Sequence, residues 1–156
     1  MAKIITLSNG ERVLVSDHRY EFLSRWTWHF VNGYAARSQR IDGHRVRIYM
    51  HRVIASTPDH LQTDHINHNK LDNRDENLRN VTAAQNIANC RKGRGSFTSR
   101  YKGVQQCKRD DRWIASIKVD GKAVRIGAFD TEIEAAKEYN KVAREVRGEF
   151  AHLNKV

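Results

Sequence analysis

Cysteine is scarce in this sequence, and long apolar runs are missing. The two cysteines, Cys90 and Cys107, do not form a C-x-x-C pair, so the sequence supports neither a disulfide framework nor a zinc site built from cysteines. No apolar run approaches the ~20 residues that a membrane-spanning helix requires. The N-terminal residues also lack the apolar segment of a secretory signal peptide. We therefore expect an intracellular protein that is neither secreted nor inserted in a membrane.

Acidic residues are also few relative to basic ones. Lys and Arg total 28 against 18 Asp and Glu, which gives a formal net charge of +10. Such an excess favours a polyanionic partner, because each phosphate that a basic side chain neutralises releases condensed counterions. Ordinary basic domains share this excess, so the charge alone does not establish nucleic-acid binding.

The first fifty residues predict short strands joined by tight turns. Asn9-Gly10, Asn32-Gly33 and Asp42-Gly43 lie between apolar-rich runs, and such pairs supply the positive φ angles of hairpin turns. Asp17 is placed to cap a short helix near Tyr20–Arg25. The predicted strands are Ile4–Leu7, Arg12–Val15, Trp26–Val31, Tyr34–Arg37 and Arg45–Met50.

The next segment, residues 59–80, is dense in Asp, Asn and His. These residues are common in turns, but their number here suggests more than a turn. A short helix is predicted over Ala83–Asn89 with Thr82 as its cap. The small and basic residues that follow predict a linker at residues 93–98.

The C-terminal third has the clearest pattern. Asp120-Gly121 is a predicted hairpin turn, and Thr131 with Glu134 forms a capping box that opens a helix with one apolar face. Gly148 is placed to end that helix. The predicted strands are Tyr101–Lys108, Arg112–Val119 and Ala123–Phe129.

The basic charge lies on the predicted C-terminal sheet rather than on its helix. Residues 96–129 carry eight Lys and Arg against three Asp, whereas residues 131–147 carry four residues of each sign. Ser116, Lys118 and Arg125 are expected to point away from the helix. An open sheet face of this kind fits the DNA major groove, which admits a β-ribbon. The alternative is the solvated face of an ordinary α+β domain.

This C-terminal region resembles the APETALA/ethylene-response-factor type of DNA-binding domain. The resemblance rests on the YKGV opening, the Trp-x-Ala-x-Ile strand, the IGAFDT-x-x-EAA junction and the RG-x-x-A-x-LN ending. It implies a three-stranded sheet that reads the major groove of double-stranded DNA. Three of the implied reading positions hold residues that are unusual for the family, so its target sequence does not carry over. The implied reading residues are Lys102, Gln105, Ser116, Lys118 and Arg125.

Three polar side chains of the central segment have the chemistry that phosphodiester hydrolysis requires. The reaction needs a base to activate water and a cation to neutralise charge on the leaving oxygen. Asp64 offers a carboxylate and its neighbour His65 an imidazole, and adjacent side chains on a strand point to opposite faces. Asn86, on the predicted helix, offers an amide oxygen. A hard ion such as Mg²⁺ binds through one or two such oxygens together with substrate phosphate.

The stretch Met50–Asn89 resembles HNH endonucleases of the phage homing type. The shared pattern is DHI-N-x-N-K-LDNR-x-ENLR-x-VT-x-x-QN. The resemblance implies a ββα-metal motif around one divalent cation, Mg²⁺ with Mn²⁺ as an alternative, and Asp64 and Asn86 as its ligands. It also implies His65 as the general base and Asn77 as the residue that orients it.

Two nearby side chains have simpler interpretations. Asn73 is expected to hydrogen-bond its own backbone in a turn, and His51 to be a packing or backbone-contact residue. His65 and His68 form an H-x-x-H pair, but no cysteine or acid at zinc-finger spacing supports a zinc site. With neutral His65 as the base, cleavage is expected to rise with pH near ~6.5 before any shift.

The combined expectation is an α+β nuclease that acts as a monomer on DNA in a bacterial or phage-infected cell. Residues 1–92 are predicted to form N-terminal β-hairpins and an HNH module, with the ββα-metal motif at about residues 60–90. Residues 99–156 are predicted to form a three-stranded antiparallel sheet packed on one helix. The hairpins add arginines that should contact phosphates without specifying sequence. They are Arg37, Arg40, Arg45 and Arg47.

Two other functions fit parts of the pattern. A non-catalytic DNA-binding regulator would share the basic sheet, but it need not keep Asp64, His65 and Asn86 together. An RNA-binding protein fits less well, because the open sheet lacks the exposed aromatic residues that stack on unpaired bases.

Overall fold

The structure, a computed structural model, describes residues 1–93 and 95–156; Arg94, which belongs to the predicted linker, lies outside the described residues. The α+β class is confirmed, with four α-helices and several small sheets within those ranges. The chain divides into two compact units, Met1–Asn86 and Ile87–Val156. The linker at residues 93–98 stays a prediction. None of the described helices is both long and apolar enough to span a membrane.

A small mixed sheet carries much of the core of the first unit. Strands β1 (Ala2–Thr6) and β2 (Arg12–Ser16) pair antiparallel, and β7 (Asp72–Asn73) pairs in parallel with β2. Alternating apolar residues in β2 bury Val13 and Val15 completely. A strand of two residues leaves no pattern in a sequence, so β7 is not among the predicted strands.

Helix α1 (Asp17–Leu23) begins earlier than predicted, and Asp17 is its first residue rather than its cap. The cap position holds Ser16, whose hydroxyl accepts a hydrogen bond of 3.0 Å from the Asp75 amide. The Asp17 carboxylate pairs with Lys3 at 2.8 Å instead of capping the helix. Contacts with distant parts of the chain therefore set the start of this helix.

A second sheet follows, and its predicted turns at Asn32-Gly33 and Asp42-Gly43 are confirmed by positive φ angles. The first strand begins later than predicted because Trp28 is buried and donates a hydrogen bond of 2.8 Å to the Leu23 carbonyl. Met50 was predicted to end a strand. It instead begins a short helix, α2 (Met50–Ile54). The strands are β3 (His29–Val31), β4 (Tyr34–Ile41) and β5 (His44–Tyr49).

The polar central segment forms a hairpin followed by a helix. Strand β6 (Gln62–His65) pairs antiparallel with β8 (Leu78–Val81), and the loop between them contains β7. Helix α3 (Ala83–Asn89) has the predicted bounds. The predicted cap, Thr82, accepts a hydrogen bond of 3.3 Å from the Gln85 amide. The Thr82 amide donates to the Gln85 side chain at 2.8 Å in return.

The second unit is a three-stranded antiparallel sheet covered by one helix. The sheet order is β11–β10–β9, and helix α4 (Glu132–Arg147) starts with the predicted capping box of Thr131 and Glu134. The pairing of β10 with β11 shifts register after Ala115. Val124 pairs with the buried Ile117 and therefore lies on the helix side of the sheet, although it is 48% exposed. The strands are β9 (Val104–Gln106), β10 (Trp113–Val119) and β11 (Lys122–Phe129).

Replacing Gly103 should destabilise the second unit. Gly103 has a φ of +74°, and a Cβ there would overlap the Tyr139 ring and lie 2.6 Å from the Ser116 carbonyl oxygen. Gly121 has a similar φ of +80° but open space around it, so a substitution there shows the cost of the backbone conformation without the steric overlap. The backbone conformation alone costs about 1–2 kcal/mol, and overpacking adds about 1–3 kcal/mol. We expect Gly103→Ala to lower the free energy of unfolding, measured with denaturant, clearly more than Gly121→Ala does; equal losses would contradict this account.

Candidate active site and nucleic-acid surface

Asp64 and His65 are consecutive at the end of β6, so their side chains point to opposite faces of the hairpin. Each residue is 6% exposed. Arg79 lies opposite Asp64 in the register, and both its Nε and its Nη2 lie 2.9 Å from Asp64 Oδ2. A buried carboxylate requires such compensation. The hairpin thus holds a paired carboxylate on one face and an imidazole on the other.

The His65 imidazole is held by Asn73. Its Nε2 lies 2.9 Å from Oδ1 of Asn73, a completely buried side chain of β7. An amide oxygen only accepts hydrogen bonds, so this contact favours the tautomer with the ring proton on Nε2. In that tautomer the lone pair lies on Nδ1, which is then the basic atom of the ring.

Asn77 makes different contacts from those that the resemblance implies. Its Nδ2 donates to the Asp72 carbonyl at 2.7 Å, and its Oδ1 accepts from the Asn67 amide at 3.0 Å. These bonds tie together the loop that follows His65. The direct partner of His65 is Asn73, expected above to be a turn residue, because the pairing of β7 with β2 carries Asn73 to the imidazole. Asn77 contacts the loop after His65 rather than the imidazole, and its role in orienting His65 stays a prediction.

A second histidine, His51, packs against His65. Their ring centroids are 5.2 Å apart, with an interplanar angle of 70°. Tyr34 lies against both rings, 4.9 Å from His51 and 6.0 Å from His65, and Tyr49 lies 5.5 Å from His51. The buried Nδ1 of His51 has no hydrogen-bond partner within the part of the chain that the structure describes. His51 therefore belongs to the surroundings of the candidate base.

Burial keeps both imidazoles neutral. Desolvation lowers the pKa of His51 to about 3, and neighbouring positive charge acts in the same direction. Desolvation also lowers the pKa of His65, although its hydrogen bond to Asn73 opposes the shift. A general base must be unprotonated. The lowered pKa of His65 therefore extends the pH range in which Nδ1 can accept a proton to below the ordinary value of ~6.5.

The side chain of Asn86 reaches the strand that carries Asp64. Its Nδ2 donates a hydrogen bond of 2.7 Å to Gln62, which lies two residues before Asp64 on the same face of β6. This bond does not use the amide oxygen of Asn86, and such oxygens suit a hard divalent cation. Among the described residues no group of three or more His, Cys, Asp or Glu could hold a metal ion. The assignment of Asp64 and Asn86 as metal ligands therefore stays a prediction.

In the second unit, four of the five predicted DNA-reading residues share the sheet face opposite α4. Gln105 pairs with Ile114, and Ser116 pairs with Arg125. Ile114, Ser116 and Lys118 alternate along β10, so they point to the same side. Gln105, Lys118 and Arg125 are exposed, and Ser116 is half-buried. This face offers two cations and two neutral polar groups to solvent.

The fifth of these residues, Lys102, makes contacts inside the protein. Its Nζ donates to the carbonyls of Ala88 and Cys90 at 2.8 and 2.6 Å. The carbonyls at a helix C-terminus are unpaired and partly negative, so they attract a cation. Burial lowers the pKa of Lys102 to about 8. In this structure the Lys102 ammonium therefore contacts two carbonyls of the protein rather than facing the open side of the sheet.

The four arginines expected to contact phosphates divide between two faces of the β3–β4–β5 sheet. Arg40 pairs with Arg45, and Arg47 pairs with Ser38, so these three arginines point to one side, and all three are exposed. Arg37 points to the other side, where its guanidinium carbon lies 4.6 Å from the centre of the Trp26 ring. One face of the sheet therefore concentrates the positive charge.

Comparison with known proteins relates nearly the whole chain to a viral protein. It is 33% identical over 150 residues to a protein of Acanthamoeba polyphaga mimivirus described as an uncharacterized HNH endonuclease. The match covers 94% of this chain and 76% of that protein. The chain belongs to the HNH endonuclease family. No family model matches it, and no solved structure does.

This HNH endonuclease also matches plant proteins over part of its length. An AP2-like ethylene-responsive transcription factor of Arabidopsis thaliana is 38% identical over 71 residues, which are 46% of this chain and 15% of that protein. A dehydration-responsive element-binding protein of the same plant is 39% identical over 70 residues, 42% of this chain and 34% of that protein. Both resemblances seen in the sequence are thus confirmed. The chain spans about a third or less of each of these plant proteins.

The sequence does not predict several of the side chains that surround His65. Asn73 lies inside the motif that carries the resemblance, so its place in the motif was a usable signal. His51 lies near the start of the stretch that carries the resemblance and was expected to be a packing residue, whereas Tyr34 lies outside that stretch. Their spacing in the sequence gives no hint of contact with His65. Only the folded arrangement shows that these rings surround the imidazole.

Acid should destabilise the protein partly through His51. Its pKa is about 3 in the folded chain and ~6.5 when unfolded. Below pH ~6.5 His51 binds a proton in the unfolded state but not in the folded state. Its contribution to the free energy of unfolding is therefore fully present above that pH and is lost as the pH falls toward 3. One such group contributes a slope of up to about 1.4 kcal/mol per pH unit. We expect His51→Gln to flatten the pH dependence of urea unfolding between pH 7 and pH 4.

The exposed His60 provides the control, because His60→Gln should leave the slope unchanged. The comparison concerns slopes, so a uniform loss of stability in either variant does not affect it. An unchanged slope in His51→Gln would show that His51 is protonated as readily in the folded chain as in the unfolded one.

Proposed function

We propose that this HNH endonuclease hydrolyses phosphodiester bonds of double-stranded DNA, with His65 as the general base and one divalent cation. The observation that carries the proposal is the contact of 2.9 Å between His65 Nε2 and Asn73 Oδ1. This contact favours the tautomer that carries its proton on Nε2 and its lone pair on Nδ1. A neutral imidazole held in one orientation is the group that base catalysis needs. Membership of the family supports the reaction class.

His65 is the group that receives the proton of the attacking water, on Nδ1. The ring becomes positive in this step, and its hydrogen bond to Asn73 then strengthens, because charge-assisted hydrogen bonds are stronger than neutral ones. The negative charge of Asp64 favours the same protonated form. The rings of Tyr34 and His51 cover other parts of the imidazole and limit the directions from which water can approach.

We propose Asp64 and Asn86 as the protein ligands of the cation, which would be Mg²⁺ or Mn²⁺. When bound, such an ion polarises the phosphate and neutralises charge on the leaving oxygen. Arg79 already compensates the Asp64 carboxylate in the chain without DNA. The protein alone should therefore bind the cation weakly, and DNA phosphate should raise its affinity.

The second unit would bring the nuclease to its target. The sheet face with Gln105, Ser116, Lys118 and Arg125 fits a major groove, where side chains reach base edges. The exposed arginines of the first unit would add phosphate contacts that position the protein without specifying sequence. One active site per chain favours a nick by a monomer, and a homing role in a virus or phage is part of the same proposal.

A non-catalytic DNA-binding regulator is the second candidate. The observation in its favour is the low exposure of Asp64 and His65, 6% each, together with the ion pair that occupies Asp64. A regulator would bind DNA through the same sheet face and leave the backbone intact.

One substitution separates the two candidates. His65→Ala removes the base, so nicking of supercoiled plasmid in Mg²⁺ or Mn²⁺ should fall by about 10²–10⁴-fold, while binding to the same plasmid in EDTA is retained. His60→Ala, at an exposed histidine outside the site, should nick like the unmodified chain. Plasmid binding without any nicking by the folded, unmodified chain would favour the regulator.

A further inference from the structure

Lys70 is an exposed lysine in the loop between β6 and β7. The loop is shaped by side-chain hydrogen bonds. The Asn69 amide donates to Asn67 Oδ1 at 2.8 Å, and the Leu71 amide donates to Asn69 Oδ1 at 3.1 Å. The backbone on both sides of Lys70 is therefore fixed, although the residue itself faces solvent.

The side chain of Lys70 is also held in place. Its Nζ lies 4.2 Å from the centre of the Tyr34 ring, in a cation–π contact. Its stem passes close to Gly33, where an added Cβ would lie 3.1 Å from the Lys70 Cδ atom. Tyr34 in turn packs against His65 at 6.0 Å. The ammonium thus lies on the aromatic ring that contacts the candidate base.

The described residues offer Lys70 no carboxylate within ion-pair distance. The ammonium nevertheless lies close to the site, since the Tyr34 ring beneath it packs against both His51 and His65. The Lys70 ammonium is fixed, exposed and not neutralised by a carboxylate, and it lies beside the candidate general base. A phosphodiester anion would supply the missing negative charge. The cation–π contact contributes only about 0.5–1 kcal/mol at an exposed position. It does not neutralise the charge of Lys70 as a carboxylate partner would.

We propose that Lys70 binds a non-bridging oxygen of the phosphodiester that is cleaved, which makes it a further catalytic residue of the proposed nuclease. This assignment rests on the proposed function. Nζ would stabilise the charge that develops on the phosphate oxygens as water attacks, in a position set by Tyr34 and Gly33. Preorganised charge of this kind contributes more to the rate than to the affinity of the ground state.

The test compares Lys70→Met with Lys70→Arg and with Arg12→Met, which removes an exposed charge from β2. Nicking of supercoiled plasmid is measured with saturating protein in Mg²⁺ and in Mn²⁺. We expect Lys70→Met to slow nicking by about 10²-fold, Lys70→Arg to recover part of the rate, and Arg12→Met to keep the full rate.

Binding to a 30-base-pair duplex of arbitrary sequence in EDTA provides a readout without the cation. The logarithm of the DNA-binding constant falls linearly with the logarithm of the salt concentration. Lys70→Met should make this negative slope shallower by about 0.9, the value for one phosphate contact. Its affinity at one salt concentration should change by less than ~3-fold, well below the loss in nicking. Thermal unfolding checks that the variant folds.

Several results would overturn the assignment. Nicking by Lys70→Met at the unmodified rate, or an unchanged salt slope, would leave Lys70 with the Tyr34 contact alone. A loss of nicking no larger than the loss of affinity would make it a general DNA-binding residue. Absence of nicking by the unmodified chain that still binds the duplex would overturn the proposed function as well, and so is distinguishable from failure of the Lys70 assignment.

Discussion

The hydrogen bond between His65 and Asn73 is the contact on which the candidate site depends. It is made within a pocket of aromatic and imidazole rings, where water does not compete. Such a bond contributes on the order of 1 kcal/mol net, but an unpaired buried donor would cost about 1–3 kcal/mol. The ring is therefore held in one tautomer and orientation. Two distant features maintain this bond: the pairing of β7 with β2 positions Asn73, and Asn77 holds the connecting loop.

The same packing explains why the imidazole is neutral. His51 and Tyr34 remove water from the ring, and the uncompensated charge of Lys70 opposes any further positive charge. Asp64 and Asn73 act in the opposite direction and are ready to stabilise the proton once the ring has taken it. The proposed base is therefore unprotonated before the reaction and is still able to accept a proton.

The basic residues of the chain fall into two groups. Some bind groups within the protein. Lys102 donates to the Ala88 carbonyl near the end of α3, and Lys92 donates to the carbonyls of Ser99 and Tyr101 at 2.7 and 2.8 Å. Others point to solvent, such as Lys118 and Arg125 on the sheet of the second unit. Net charge alone does not distinguish the groups, because it counts a lysine on a helix C-terminus like a lysine on an open face.

Local patterns in the sequence predict the parts of the fold that depend on local physics. The capping box at Thr131, the turn at Asp120-Gly121 and the bounds of α3 follow from short-range hydrogen bonds and side-chain periodicity. The position of Asn73 does not, because β7 is two residues long and exists only through its partner β2. The register shift after Ala115 is likewise a property of the paired strands. The sequence predicts roles for Asp64, His65 and Asn86, and these stay predictions; it does not predict the groups that surround His65.

Nitrogen-15 NMR of the histidine side chains in the full-length, DNA-free protein tests the central claim most directly. At neutral pH the account predicts that His65 is neutral, with its proton on Nε2 and its lone pair on Nδ1, and that Asn73→Ala abolishes this preference. A His65 ring that is doubly protonated at neutral pH, or that carries its proton on Nδ1, would contradict the account.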